Sequence, residues 1–109
     1  MPFSVITIIP FERESKRLVK KYKSLKSELL ELVRELKYNP FQGTAIGNNC
    51  YKIRISIASK NKGKSGGGRV ITHIAVIQKT VYLLSVYDKS EKQDLEPKEL
   101  KQLLEQIPT

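Results

Sequence analysis

YKIRISIASKNKGKSGGGRVITHIAVI, Tyr51–Ile77, is the stretch on which the fold turns. In its first part Tyr51, Ile53, Ile55 and Ile57 alternate with Lys52, Arg54, Ser56 and Ala58. A period of two sends alternate side chains to opposite faces, so this is a strand with one buried and one polar face. Val70–Ile77 is again β-patterned, and Val81–Tyr87 follows after the short join Gln78-Lys79-Thr80. Close spacing predicts antiparallel neighbours. The glycines between the first two strands invite comparison with a phosphate-binding loop. Spacing excludes a Walker A motif: with Gly63-Lys64-Ser65 at its end, the first glycine would fall on Ala58. A helix would also have to follow, where a strand stands. The loop is instead a wide hairpin tip with glycine for backbone freedom and lysine for charge.

On the N-terminal side, Ser4–Ile9 is β-branched and predicts a short strand closed by Pro10. The period then changes. Phe11, Ser15, Leu18, Val19 and Tyr22 fall on one helix face, with Glu12, Arg13, Lys16, Arg17, Lys20 and Lys21 opposite. Lys23-Ser24 interrupts, with Ser24 as an N-cap, and Leu25, Leu29, Leu32, Val33 and Leu36 form the inner face of a second helix. Asn39-Pro40 ends it, because proline disfavours helical geometry in the residue before it. So short a join predicts an antiparallel helical hairpin. Residues 40–49 read as loop. At the C-terminal end, Pro97 suits a first helical position, Glu99 folds back on the helix start, and Leu95 staples to Leu100. The order is β-α-α-β-β-β-α, an α+β fold in a single domain spanning 1–109.

The net charge of +9 is unevenly spread. Leu36–Tyr87 holds no acidic residue but contains Lys37, Lys52, Arg54, Lys60, Lys62, Lys64, Arg69 and Lys79. Cations without local counterions are the footprint of a polyanion partner. Lys52 and Arg54 point to one strand face about 7 Å apart, and Arg69 joins them if the hairpin closes antiparallel. Mutual repulsion among the three is relieved by an anion. Cys50 is the lone cysteine, which excludes an intramolecular disulfide framework and a multi-cysteine zinc site. No metal or cofactor is expected. No run approaches the ~18 apolar residues of a membrane span. The apolar N-terminal run lacks the basic start of a signal peptide, and a cytoplasmic protein without membrane contact is expected. Low aromatic content argues against a base-stacking RNA platform.

Three runs together carry a family resemblance: Cys50-Tyr51-Lys52-Ile53-Arg54, Gly63–Ile71, and Tyr87-Asp88-Lys89-Ser90-Glu91. With the element order, they resemble the RelE/ParE toxin superfamily, and the long glycine–lysine loop resembles its HigB-like branch. The resemblance implies a largely antiparallel sheet packed on the helical hairpin. It further implies the toxin of a type II toxin–antitoxin pair, neutralised by a cognate protein antitoxin. RelE-type members are ribosome-dependent endoribonucleases that inhibit translation by cleaving mRNA in the A site, through attack of the 2′-hydroxyl on the adjacent phosphate. ParE-like members poison DNA gyrase with the same fold, which is the alternative activity.

By motif position, Lys52, Arg54, Arg69 and Lys89 are the catalytic candidates. Repulsion from Arg54 and Arg69 suits Lys52 to accepting the 2′-proton. Arg69, with Arg54 assisting, would stabilise the phosphorane through its planar fork, and Lys89 would neutralise the leaving 5′-oxygen. The family's tyrosine beyond the last strand aligns with Leu95, so Tyr87 is a weaker candidate for its role. His73 is the sole histidine, which rules out a two-histidine acid–base pair; it too is a weaker candidate. Lys60, Lys62 and Lys64, with Lys16 and Lys20 of the first helix, are expected to grip ribosomal RNA.

Overall fold

The computed structural model describes residues 2–60 and 66–108. Among the described residues, five strands and three helices follow the order β1 (Ser4–Thr7), α1 (Ile9–Lys21), α2 (Leu25–Tyr38), β2 (Thr44–Gly47), β3 (Cys50–Ile55), β4 (Gly68–Ala75), β5 (Thr80–Asp88) and α3 (Pro97–Leu104). A 3-10 turn, Ala58–Lys60, follows β3. The strands form one sheet in the order β1-β5-β4-β3-β2. Every neighbouring pair is antiparallel except β1 with β5, which run parallel.

The apolar face of the sheet carries Ile53, Val70, Ile74, Val81 and Leu83, packed in one core with Phe11 and Leu18 of α1 and Leu25, Leu32 and Leu36 of α2. Leu18, Leu25 and Leu36 are completely inaccessible, as the helical periodicity requires. α3 contributes no fully buried residue. Leu95, Leu100, Leu103 and Leu104 rest on the core as partly buried cover. Its start carries the expected capping box: the Glu96 and Glu99 side chains each serve the other's backbone N–H, with proline in the first turn.

The elements depart from the sequence-based expectations in four places. Pro10 lies inside the first turn of α1 and does not end the strand, because proline's missing N–H is not needed there. The Ser24 hydroxyl does not cap α2; it accepts from Ser59 N (3.0 Å) and bonds the Glu28 carboxylate (2.9 Å). Glu28 in turn accepts from Ala58 N (2.8 Å), so the first turn of α2 is clamped to the turn leading into the glycine loop. Residues 40–49 are not all loop, since β2 pairs with β3 through Thr44↔Lys52 and Ala45↔Tyr51. Asn48 and Asn49, both at positive φ, make its hairpin turn. Gly43, with φ +98°, allows the chain into that edge: a Cβ there would lie 2.6 Å from the Lys52 carbonyl oxygen. Finally, β3 stops at Ile55, two residues short of the alternating pattern, because the chain turns at Ile57 to bury that side chain.

Candidate active site on the open face of the sheet

Strand register brings the basic residues together. Arg54 lies directly opposite Arg69, and Arg69 directly opposite Tyr87. Directly opposed residues share a face, and Lys52 shares it with Arg54 by alternation. The face away from the helical hairpin therefore carries Lys52, Arg54, Arg69 and Tyr87. Arg54 is exposed, Lys52 is half-buried, and Arg69 is the deepest of the three cations at 4% exposure. Its Nη1 donates to the Gly68 carbonyl at 2.9 Å. Gly68 sits tightly against the Tyr87 backbone, where a Cβ would meet the Tyr87 carbonyl oxygen at 3.0 Å.

Tyr87 is buried, and its hydroxyl donates to Asp94 Oδ1 at 3.4 Å. Burial, with Asp94 adding to it, pushes the phenol up to about 12, so it stays a proton-bearing donor at neutral pH. Asp94 also lies 3.4 Å from Lys52 Nζ. The Leu95 backbone N–H (2.8 Å), with help from Lys52 and Tyr87, holds the Asp94 carboxyl below its usual value. The sequence picture of this face as free of carboxylates is thus corrected: the segment after β5 delivers one. Asp94 and Lys52 line a cavity of about 620 Å³ whose far wall is α3, through Leu100 and Leu104.

Lys89 lies just past β5, its N–H bonded to the Gly67 carbonyl (3.0 Å) and its ammonium to the Gln93 carbonyl (2.9 Å). His73 stands on the same face, at the β2–β3 turn, with Nδ1 2.9 Å from the Asn48 carbonyl oxygen and 3.6 Å from the Cys50 sulfur. These contacts give it a turn-fastening place. Burial pushes the Cys50 thiol up to about 11, which leaves it uncharged.

Lys60 requires a correction. Its ammonium does not reach outward for RNA; the side chain is 8% exposed and donates to Asp88 at 2.5 Å and to the Gly66 carbonyl at 3.2 Å. Asp88 is fully buried and also accepts from the Tyr22 hydroxyl (2.5 Å) and from the Ser90 N–H and hydroxyl (3.0 and 2.8 Å). Burial alone would raise the Asp88 carboxyl, but donation from Lys60, Tyr22 and Ser90 outweighs it and holds the group well below the carboxylate range. Lys62 and Lys64 lie outside the described residues. Lys16 and Lys20 are exposed on α1 beside Arg13, Arg17 and Lys21. Arg17 and Lys21 are tied to Glu91 at 2.8 and 3.1 Å.

Sequence reasoning therefore missed Tyr22, Asp88, Glu91 and Asp94. The one available signal was the run Asp88-Lys89-Ser90-Glu91-Lys92-Gln93-Asp94, whose acids follow the basic region directly in sequence. Among the described residues no group of three or more His, Cys, Asp or Glu side chains could hold a metal ion. No helix among them is long and apolar enough to cross a membrane.

The fold is shared with solved toxins. A double arginine-to-alanine mutant of the E. coli toxin RelE in the free state matches with a TM-score of 0.68 at 16% identity, covering 99% of this chain and 100% of that one. The toxin–antitoxin complex RelBE2 of Mycobacterium tuberculosis matches with a TM-score of 0.58 at 16% identity, covering 81% and 99%. The isolated E. coli RelE toxin gives 0.53 at 15% identity, covering 96% and 99%. At such identities these matches establish the fold alone. The family model for the RelE toxin of the RelE/RelB toxin–antitoxin system matches residues 10–107. With that match added to the fold, the chain belongs to the RelE toxin family.

Proposed function

We propose that this toxin is a ribosome-dependent endoribonuclease that stops translation by cutting mRNA, and that a cognate antitoxin protein restrains it. The observation that carries the proposal is the register that sets Lys52, Arg54, Arg69 and Tyr87 on one open face. The 2′-hydroxyl attacks the adjacent phosphorus as Lys52, in its uncharged amine form, takes its proton. Arg54 and the deeper Arg69 hold the phosphorane oxygens, with charges strengthened by partial exclusion of water. Lys89 gives a proton to the leaving 5′-oxygen, and the products are a 2′,3′-cyclic phosphate and a 5′-hydroxyl. Tyr87 donates a hydrogen bond beside them and takes the place of the tyrosine the family carries where Leu95 stands. Lys16 and Lys20, with Lys62 and Lys64, supply the salt-sensitive grip on ribosomal RNA. His73 stays the weaker candidate, with its Nδ1 engaged by the Asn48 carbonyl oxygen.

The HigB-like affinity rests on the glycine–lysine loop and is part of the same proposal. Gyrase inhibition draws support from nothing but the shared fold, and the matching family model is that of RelE. The decisive experiment supplies purified toxin to ribosomes programmed with mRNA and maps new 5′ ends. Cleavage within the A-site codon is expected, and Arg69→Ala should slow it at least ~100-fold, as loss of a transition-state donor does. Intact mRNA with wild-type toxin, or full activity in Arg69→Ala, overturns the proposal.

A further inference from the structure

We infer that the segment after β5 carries a built-in stand-in for RNA phosphate: Asp94 occupies Lys52, Glu91 occupies Arg17 and Lys21 beside the RNA-gripping Lys16 and Lys20, and RNA binds by exchanging with them. The inference rests on the proposed function for the identity of the polyanion. Asp94 presents both carboxylate oxygens to Lys52 Nζ, at 3.4 and 3.5 Å, and accepts from the Tyr87 hydroxyl. An anion held by an ammonium and a phenol on the open face has the charge and donors of a bound phosphate. Three residues earlier, Glu91 spans Arg17 and Lys21 on the basic side of α1. One short segment thus neutralises two separate parts of the cationic surface.

The pairs are built for exchange. The Asp94 side chain is 65% exposed and the Glu91 side chain 34%, and ion pairs this open to water are weakly held. The segment is fixed at one end by buried Asp88 and at the other by α3, which buries no residue fully. Between these ends the carboxylates can leave without disturbing the core. Once Asp94 withdraws, Lys52 Nζ is left open to an incoming RNA phosphate.

The test is a fluorescence titration of a 2′-O-methyl oligoribonucleotide, which keeps the phosphates and lacks the attacking hydroxyl. Wild type is compared with Asp94→Asn, with Glu91→Gln, and with Glu105→Gln, which removes the same charge from an exposed residue that holds no cation among the described residues. Asp94→Asn and Glu91→Gln should each tighten binding about 3- to 10-fold at ~50 mM salt, while Glu105→Gln stays within about 1.5-fold. Their salt dependence should steepen by up to about 0.7 in slope per carboxylate removed. Thermal melting of each chain confirms that the fold is kept. The inference is overturned if the two variants bind no tighter than Glu105→Gln, or if none of the four chains binds the oligonucleotide. A toxin that shows the tightening and yet leaves ribosomal mRNA intact loses the nuclease reading alone.

Discussion

Lys60–Asp88 and Lys52–Asp94 are the same chemical pair in two settings. The first has side chains 8% and 0% exposed and a 2.5 Å contact; the second has 29% and 65% exposure and a 3.4 Å contact. A buried pair is held because neither partner can be left alone away from water. An exposed pair can dissolve at little cost, since water replaces each partner. The same residue types therefore serve as architecture on the helix side of the sheet and as a loosely held charge pair on its open face. Desolvation, rather than charge, decides which lysine is free to exchange its partner.

The comparison can be broken most forcefully at the buried pair. Lys60→Met should destabilise the fold by about 3–5 kcal/mol, because it strands the Asp88 charge in the interior; equilibrium urea unfolding measures this. A loss below about 1 kcal/mol would mean that the pair is no more structural than its exposed counterpart. Tyr22→Phe removes one donor to the same carboxylate and should cost about 1.5–3 kcal/mol, the range for hydrogen bonds to charged groups.

Acid sharpens the contrast further. The folded Asp88 carboxyl lies below its unfolded value of about 3.9, so its stabilisation is present above that pH. It is lost as pH falls through the unfolded value towards the folded one. Melting temperature should drop in this window for the wild type and change less for Asp88→Asn, which starts lower. Parallel slopes for the two would remove Asp88 as the source. The smallest effect belongs to Lys52→Met, which should change stability by less than about 1 kcal/mol while abolishing mRNA cleavage.

Much of the architecture was legible because it depends on local periodicity. The alternation from Tyr51 to Ile57 specified which side of β3 is polar, and the Leu25–Leu36 spacing specified the buried side of α2. Pro97 and Glu99 marked the start of α3 through backbone chemistry confined to one turn. β2 gave no such signal: Thr44–Gly47 is short, lies at the sheet edge and buries only part of Ile46, so nothing imposes alternation on it. The cationic face was found from the register a hairpin must adopt. Its carboxylates were not, because charge was sorted along the chain, whereas the sheet folds residues 88–94 back against Lys52, Lys60 and α1. Lys60 was misjudged for the same reason. Its partner is 28 residues away in sequence, beyond any local pattern.

The parallel pairing of β1 with β5 has a consequence for how the molecule is assembled. Ser4 meets Thr80 and Thr7 meets Leu83, so the earliest strand of the chain has no place in the sheet until the latest strand exists. A loop of that length must close before any ladder bond rewards it, and such non-local pairing slows folding relative to a helical bundle. Until then, the hairpin of β4 and β5 can form with one side of β5 uncovered. The first and last strands of the chain thus depend on each other for their place in the sheet.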